Sequence, residues 1–248
     1  DVCSSDLGAS AGGLEALEQF FNSMSPISNM AFVVIQHLSP DFKSLMPEIL
    51  SRHTEMKVYQ IENGMKVLPG CVYLNPPNFT VKISQGQLFL NQQDSLKRVN
   101  LTINSFLESL AEDMREKSIA IILSGTGSDG THGCRAIKEA GGIVLAQDMR
   151  TAKFNGMPKS VIATNICDFI LAPSKMPERL LSYTGQSSLI TIIAGEEQQA
   201  DEANDFLSQI YNIIRERYST DFSLYKQGTV LRCLDRRIRI CQITTLEE

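Results

Sequence analysis

Composition and charge exclude several classes of protein before any motif is considered. The chain has 248 residues, of which 43% are hydrophobic and 21% charged, so it is large enough for a substantial core and ordinary for a globular protein. A net charge of −5 gives no electrostatic reason to expect nucleic-acid binding, and no apolar run approaches the roughly 20 residues of a membrane span.

The six cysteines are scattered and indicate free thiols. They are Cys3, Cys71, Cys134, Cys167, Cys233 and Cys241. None belongs to a C-x-x-C pair and only three histidines are present, so we expect neither a metal nor a cofactor. Residues 1–6 contain no basic region and no apolar core of a signal peptide, which together with the free thiols indicates a cytoplasmic protein.

The first half of the chain alternates apolar strands with amphipathic helices. The spacing of apolar residues predicts helices over 13–24 and 45–53, strands over 31–35 and 70–74, and a β-hairpin over 80–91 around Gln85-Gly86. Residues 1–7 precede a glycine-rich turn but lack the Val, Ile and Leu content of a buried parallel strand. We therefore assign them no definite structure from the sequence.

The same alternation continues to about residue 171. It predicts helices over 101–117, 133–139 and 159–164, and strands over 119–123, 143–146 and 167–171. Strands that alternate with helices in this way predict an α/β fold, a doubly wound and mainly parallel sheet with helices on both faces and a small β-hairpin.

The composition changes from residue 186. Residues 195–203 are acidic and polar, whereas the apolar positions of 206–218 and the basic stretch 229–240 predict two helices. About fifty residues with two helices are too few for a full core of their own. We therefore predict an α/β domain over 1–185, a linker over 186–202, and a partial all-α segment over 203–248.

A serine among three glycines is the first candidate for chemistry. Gly8-Ala9-Ser10-Ala11-Gly12-Gly13 fits the G-x-S-x-G pattern, which displays a nucleophilic serine between a strand and a helix, beside backbone N–H groups. A glycine-rich turn that merely joins strand to helix is an equally good interpretation of the motif alone. A Rossmann interpretation of Gly8–Gly13 is weaker, because this stretch does not have the spacing G-x-G-x-x-G.

Two further polar residues, His37 and Asp129, follow predicted strands. Because the carboxyl ends of parallel strands meet at one edge of a sheet, Ser10, His37 and Asp129 together could supply a nucleophile, a base and an orienting carboxylate. The turn over 125–130 offers N–H groups for an oxyanion hole. The simpler alternatives are a surface histidine and, for Asp129, a helix N-cap.

The order of the three residues distinguishes this chain from one well-known architecture. Enzymes of the α/β-hydrolase fold have the order Ser…Asp…His, and the only histidine after residue 53 is His132, three residues beyond Asp129. We therefore interpret the motif as a nucleophile turn on a different α/β fold, and we treat His53 and His132 as structural.

Five motifs in order resemble the catalytic domain of the chemotaxis protein-glutamate methylesterase (CheB) family over about residues 7–184. They are Gly8–Gly13, Gln36-His37-Leu38-Ser39-Pro40, Val72-Tyr73-Leu74-Asn75-Pro76-Pro77, Leu123–Gly130 and Gly156-Met157-Pro158. The resemblance implies hydrolysis of γ-glutamyl methyl esters, and often deamidation of glutamines, on the cytoplasmic helices of methyl-accepting chemoreceptors in chemotaxis adaptation signalling.

The same resemblance assigns roles to single residues. It makes Ser10 the nucleophile, His37 the base and Asp129 the orienting carboxylate, and it places an oxyanion-binding backbone N–H at Thr126, with Gly127 and Ala11 as further candidates. A non-catalytic receptor-docking module with an esterase-like fold is the alternative from another class, and a general esterase acting on small molecules is a third interpretation.

Residues 206–240 are similar to the N-terminal helical domain of the chemoreceptor glutamate methyltransferase (CheR) family. The similarity is carried mainly by Asp221–Lys226 and Thr229–Ile238. It implies a fragment of a CheB/CheR fusion in which a basic helix contacts the acidic receptor through Arg232, Arg236, Arg237 and Arg239. A solvated charged face is the alternative for this helix, and methyltransferase activity is not expected, because the SAM-binding domain is absent.

Overall fold

The computed structural model describes residues 3–26, 29–38, 45–93, 101–185 and 199–243, with backbone only for 3–5 and 199–206. The strands are β1 (Cys3–Ala9), β2 (Met30–Gln36), β3 (Lys57–Gln60), β4 (Met65–Lys66), β5 (Cys71–Leu74), β6 (Phe79–Ser84), β7 (Gln87–Gln92), β8 (Ser118–Ile122), β9 (Ile143–Gln147) and β10 (Phe169–Leu171). The helices are α1 (Gly13–Asn22), α2 (Met46–Leu50), α3 (Thr102–Met114), α4 (Thr131–Glu139), α5 (Gly156–Ile162), α6 (Met176–Gly185), α7 (Gln199–Tyr218) and α8 (Gln227–Cys241). The chain forms two compact units, residues 1–181 and 182–248.

The first unit contains a seven-stranded parallel sheet in the order β10-β9-β8-β1-β2-β5-β3. Every residue of β2, β8 and β9 is buried, as expected for central strands that are covered by helices on both faces. The predicted doubly wound α/β architecture is therefore confirmed.

The order of the strands reverses at β1, which lies between β2 and β8. Gly8 of β1 is level with Ile35 of β2 and with Ile122 of β8, so the three carboxyl ends are adjacent. In open α/β sheets the crevice beyond such a switch point is where ligands bind. The turns that carry Ser10, His37 and Asp129 follow these three strands.

The predicted hairpin is confirmed and belongs to a slightly larger antiparallel sheet. Strands β6 and β7 pair across Gln85-Gly86, and the short β4 adds a third strand to β7. Strand β3, at the edge of the main sheet, was not predicted. Three of its four residues are exposed and the fourth is half-buried, so its sequence carries no apolar run of the kind that marks the central strands.

Aromatic packing anchors α1 to the sheet. Phe20 and Phe21 of α1 contact each other and Phe32 of β2 edge-to-face, with ring centroids 5.2 to 5.7 Å apart. All three side chains are buried. Because α1 begins at Gly13, three residues after Ser10, this packing fixes the direction in which the Gly8–Gly13 turn leaves the sheet.

Strand β1 forms in spite of its polar composition. It pairs over its whole length with β2 and over five residues with β8, which shows that two apolar neighbours determine its conformation more strongly than its own side chains do. Asp6 is consequently fully buried, and neither carboxylate oxygen has a hydrogen-bond partner among the described residues. Desolvation, with a smaller contribution from the charge of Asp129, raises the pKa of Asp6 well above its usual value.

We expect Asp6→Val to raise the free energy of unfolding by about 2 kcal/mol or more at neutral pH. A folded-state pKa above the unfolded one means that the folded chain binds the extra proton, so wild-type stability falls as the pH rises above about 4. The gain from Asp6→Val should therefore be larger at pH 8 than at pH 4.5, as measured by urea unfolding.

A second buried aspartate provides the control for this prediction. Asp168 accepts hydrogen bonds from Lys138 Nζ at 2.6 Å and from the Val144 N–H at 3.0 Å. Asp168→Val should therefore destabilise the fold, since it leaves these donors without their acceptor. A lower stability for Asp6→Val than for the wild type would contradict the prediction.

The second unit contains α7 and α8, joined by a short 3₁₀ turn over Phe222–Leu224 that Asp221 caps by accepting from the Ser223 N–H at 2.9 Å. Helix α7 begins at Gln199 and so extends into the predicted linker over 186–202. The linker residues 186–198 lie outside the described residues. Among the helices that the structure describes, none has the length and apolarity to cross a bilayer.

Candidate active site

The turn after β1 presents Ser10 at the switch point of the sheet. The Ser10 N–H donates to the carbonyl oxygen of Ser124 at 3.0 Å, and the Ser10 carbonyl accepts from the Gly13 N–H at 2.8 Å. The first of these bonds ties the turn to the segment that follows β8. The Ser10 side chain is half-buried and its hydroxyl faces His37.

Two glycines make this close approach possible. Gly12 has a φ of 71°, in the left-handed region that glycine adopts without strain. A Cβ there would lie 3.0 Å from atoms of Ser124, Lys153 and Phe154. A Cβ on Gly125 would lie 2.9 Å from the Ser10 Cβ and would also collide with the Met157 sulfur. The turn around Ser10 therefore packs directly on the 124–127 segment.

His37 follows β2 and lies between the other two candidate residues. Its Nδ1 is 3.2 Å from Ser10 Oγ, and its Nε2 is 2.8 Å from Asp129 Oδ2. This arrangement suits a neutral imidazole that carries its proton on Nε2 and accepts the serine hydroxyl at Nδ1. The two ring nitrogens thus have exchanged roles relative to the chymotrypsin triad, in which Nε2 faces the serine and Nδ1 faces the aspartate.

Asp129 is buried and accepts hydrogen bonds at both oxygens. Besides His37, Oδ2 accepts from the Ile103 N–H at 3.1 Å, and Oδ1 accepts from the N–H groups of Asn104 at 3.0 Å and Gly130 at 2.9 Å. Ile103 and Asn104 are in the first turn of α3, so the carboxylate also faces the positive end of that helix. These donors stabilise a negative charge beside the imidazole.

The candidate oxyanion donors lie in the serine turn and in the segment that packs against it. Within the described parts of the chain, the backbone N–H groups of Ala11, Thr126 and Gly127 donate to no protein acceptor, and all three residues are exposed. Gly125, directly before Thr126, contacts the serine turn. Exposed, unpaired N–H groups at this position are suited to receive a developing oxyanion.

Ser124 joins three segments of the site, a role that the sequence did not predict. Its hydroxyl is 3.0 Å from both the Ala11 carbonyl oxygen and the Phe154 nitrogen, and its own N–H donates to Gln147 Oε1 at 2.8 Å. The Gly125 N–H in turn donates to the Phe154 carbonyl at 2.9 Å. The loop that contains Phe154 is thereby fixed against the serine turn.

The remaining predicted residues do not join this cluster. His53 is bonded to Asn22 at 3.1 Å, and His132 is in α4. Cys71, Cys134, Cys167, Cys233 and Cys241 are free. Burial raises the pKa of Cys134 and raises that of Cys167 to about 11, so both thiols are protonated at neutral pH and are poor nucleophiles.

The predicted basic residues are on α8, in the other unit. Arg232 and Arg237 are exposed, whereas Arg236 and Arg239 are half-buried. Arg239 pairs with Asp235 one turn earlier, at 3.0 Å. Arg232 and Arg237 are therefore the two of the four whose charge faces solvent most directly.

Comparison with known proteins identifies the family. A family profile described as CheB methylesterase matches residues 6–180. The chain belongs to the CheB methylesterase family. The crystal structure of the Thermotoga maritima CheB methylesterase catalytic domain is 34% identical to it, with a TM-score of 0.67, and the match covers 73% of this chain and 98% of that one.

Curated relatives extend the comparison. A protein-glutamate methylesterase/protein-glutamine glutaminase of Thermotoga maritima is 35% identical over 71% of this chain and 52% of its own length. An uncharacterized 104.1 kDa protein of Rhodobacter capsulatus is 32% identical over 81% of this chain and 23% of its own length. The chain thus spans about half the length, or less, of these relatives.

Proposed function

We propose that this CheB-family chain is a protein-glutamate methylesterase that hydrolyses γ-glutamyl methyl esters on chemoreceptors through Ser10, His37 and Asp129. The observation that carries the proposal is the continuous hydrogen-bonded series from Ser10 Oγ through both ring nitrogens of His37 to Asp129. A serine hydroxyl becomes an effective nucleophile when a neighbouring base accepts its proton.

The first half of the proposed reaction forms an acyl-enzyme. The Ser10 hydroxyl proton moves to His37 Nδ1 while Oγ attacks the ester carbonyl carbon. The N–H groups of Ala11, Thr126 and Gly127 are the candidate donors to the resulting oxyanion. Collapse of this intermediate breaks the bond to the methoxy oxygen, which takes the proton from His37 Nδ1 and leaves as methanol.

The second half regenerates the serine. A water molecule gives a proton to His37 Nδ1 as its oxygen attacks the acyl carbon, and Ser10 Oγ recovers that proton as the free glutamate leaves. A glutamine side chain could follow the same route with ammonia as the leaving group, and the Thermotoga maritima relative is named for both activities. No step requires a cofactor.

Asp129 holds the ring in the orientation that this route needs. By accepting from His37 Nε2 it keeps Nδ1 available for the proton of Ser10, and its negative charge stabilises the imidazolium that forms twice per turnover. The three backbone N–H donors to Asp129 keep the carboxylate in place during both proton transfers.

A non-catalytic docking module is the second candidate, and one observation favours it. The unpartnered Asp6 lies in β1, four residues before Ser10, and its burial weakens the strand that supports the serine turn. Under this proposal the first unit would bind the receptor without hydrolysing its methyl esters. A general esterase acting on small molecules would have the same site but no preference for receptor esters.

A labelling and turnover experiment separates these candidates. The 248-residue chain would be treated with a fluorophosphonate probe, and methanol release would be measured from a methylated receptor cytoplasmic fragment and from p-nitrophenyl acetate. We expect labelling at Ser10 and faster turnover of the receptor ester. Receptor binding without labelling or methanol release would favour the docking module, and turnover of only the small ester would favour the general esterase.

We further propose that the second unit is a partial CheR-type helical segment that contacts the acidic receptor through α8. The exposed charges of Arg232 and Arg237 support this proposal, as does a Rhodobacter capsulatus relative whose match covers more of the chain than residues 6–180. The double variant Arg232→Ala/Arg237→Ala tests this proposal. We expect it to bind receptor fragments more weakly and to hydrolyse p-nitrophenyl acetate at an unchanged rate. Unchanged binding would contradict the proposal.

A further inference from the structure

One motif of the sequence has no role in the mechanism above. Asn75-Pro76-Pro77 follows β5, the neighbour of β2 in the sheet. The Asn75 side chain is almost completely buried, with 4% of its surface exposed. A buried amide must satisfy its donor and acceptor groups inside the protein, because leaving either unpaired costs about 1–3 kcal/mol.

Asn75 satisfies both groups on the backbone of a single residue, Gln36. Its Oδ1 accepts from the Gln36 N–H at 2.9 Å, and its Nδ2 donates to the Gln36 carbonyl oxygen at 3.0 Å. The Asn75 N–H also donates to the Val34 carbonyl at 3.3 Å. Gln36 is the last residue of β2 and directly precedes His37.

The regular strand pairing could not satisfy both backbone groups of Gln36. In the parallel ladder of β2 and β5 the Asn75 N–H donates to the Val34 carbonyl, so the Gln36 carbonyl would next face the nitrogen of Pro77. Proline has no backbone N–H to donate. The Asn75 side chain supplies the missing donor, and it also accepts from the Gln36 N–H at the point where β2 leads into His37.

We infer that Asn75 is a positioning residue for His37, an inference that rests on the proposed function of the site. With the Gln36 N–H and C=O both held, the His37 backbone begins from a fixed point, and the ring reaches Ser10 with one nitrogen and Asp129 with the other. Among the described residues the hydrogen bonds of Asn75 go to Gln36 and Val34 and to no triad side chain, so it acts through the backbone of Gln36.

Replacing Asn75 should reduce turnover more than substrate binding. We expect Asn75→Ala to lower kcat for methanol release by about 10- to 100-fold, the usual cost of a catalytic group misplaced by about 1 Å. KM should change less than about twofold, because no contact with substrate is lost. Ring ¹⁵N chemical shifts of His37 should also move, since a displaced ring no longer holds one tautomer.

Ser109→Ala is the matched control for loss of a buried side-chain link. Ser109 Oγ accepts from the Ile83 N–H at 3.1 Å and donates to the Phe106 carbonyl at 2.8 Å, so it joins α3 to β6 without bonding to any triad residue. Its removal should lower stability to a similar extent and leave kcat and the His37 resonances unchanged. The three histidines of the chain can be assigned with His53→Gln and His132→Gln.

Asn75→Asp keeps the inference testable if Asn75→Ala fails to fold. An ionised carboxylate has the same shape and still accepts from the Gln36 N–H, but it cannot donate to the Gln36 carbonyl. An intermediate loss of kcat is expected. Wild-type kcat and His37 shifts in a folded Asn75 variant, equal losses in Ser109→Ala, or failure of both Asn75 variants to fold would overturn the inference. Undiminished methanol release by Ser10→Ala would instead overturn the proposed function.

Discussion

We expect Ser10→Ala to lower kcat for methanol release from methylated receptor fragments by about 10⁴- to 10⁶-fold, with little change in KM. The substitution removes the one oxygen that is bonded to His37 Nδ1, so no acyl-enzyme can form. Activity that persists would come from water attacking directly, assisted by the oxyanion donors and by substrate binding. Fluorophosphonate labelling should disappear together with turnover.

The fold should tolerate this substitution. Ser10 contributes to the turn through its backbone N–H and carbonyl bonds, to Ser124 and Gly13, which alanine retains. The substitution removes one half-buried hydroxyl and its hydrogen bond to His37, so stability should change by about 1 kcal/mol or less. Ser23→Ala, at the exposed C-terminal end of α1, where Ser23 Oγ bonds to the Gln19 carbonyl, is the control and should retain full activity. Methanol release at the wild-type rate by Ser10→Ala would refute the mechanism.

We expect Asp129→Asn to lower kcat by about 10³- to 10⁴-fold, less than the loss from Ser10→Ala. An amide can accept through one oxygen only, whereas the carboxylate accepts from His37 and three backbone N–H groups through both. The variant must therefore turn an NH₂ group toward a donor. Either His37 loses the partner that fixes its tautomer, or the first turn of α3 loses its cap.

The same substitution should also reduce stability by about 1–3 kcal/mol, because it leaves buried donors unpaired. Asp113→Asn is the matched control. Asp113, near the other end of α3, accepts from the backbone N–H groups of Gln85 and Gly86 in the hairpin turn. Asp113→Asn should lower the urea midpoint and leave kcat unchanged. A kcat for Asp129→Asn within about tenfold of the wild type would show that the carboxylate does not orient His37.

Many strands and helices of the first unit could be predicted, because short stretches of sequence carry the pattern of apolar residues that marks them. Apolar runs such as 31–35 and 119–123 predicted central strands, and amphipathic spacing predicted α1 and α3. Strand β3 was missed because its exposed residues lack an apolar run. Strand β1 had the wrong composition for a buried strand, and it is a strand because β2 and β8 supply hydrogen bonds on both sides.

The sequence by itself determined that a histidine and an aspartate each follow a strand of a parallel sheet, and that a glycine-rich serine turn leads into a helix of the same fold. That the serine turn also follows a strand depends on the pairing of β1 with β2 and β8. Only the tertiary structure decided that His37 faces Ser10 with Nδ1 and Asp129 with Nε2, that Asp129 also caps α3, and that Asn75 holds Gln36. Each of these contacts joins residues 25 to 92 positions apart. Such contacts depend on strand register and on helix placement, which are set by packing over the whole sheet and leave no mark on the local pattern of residues.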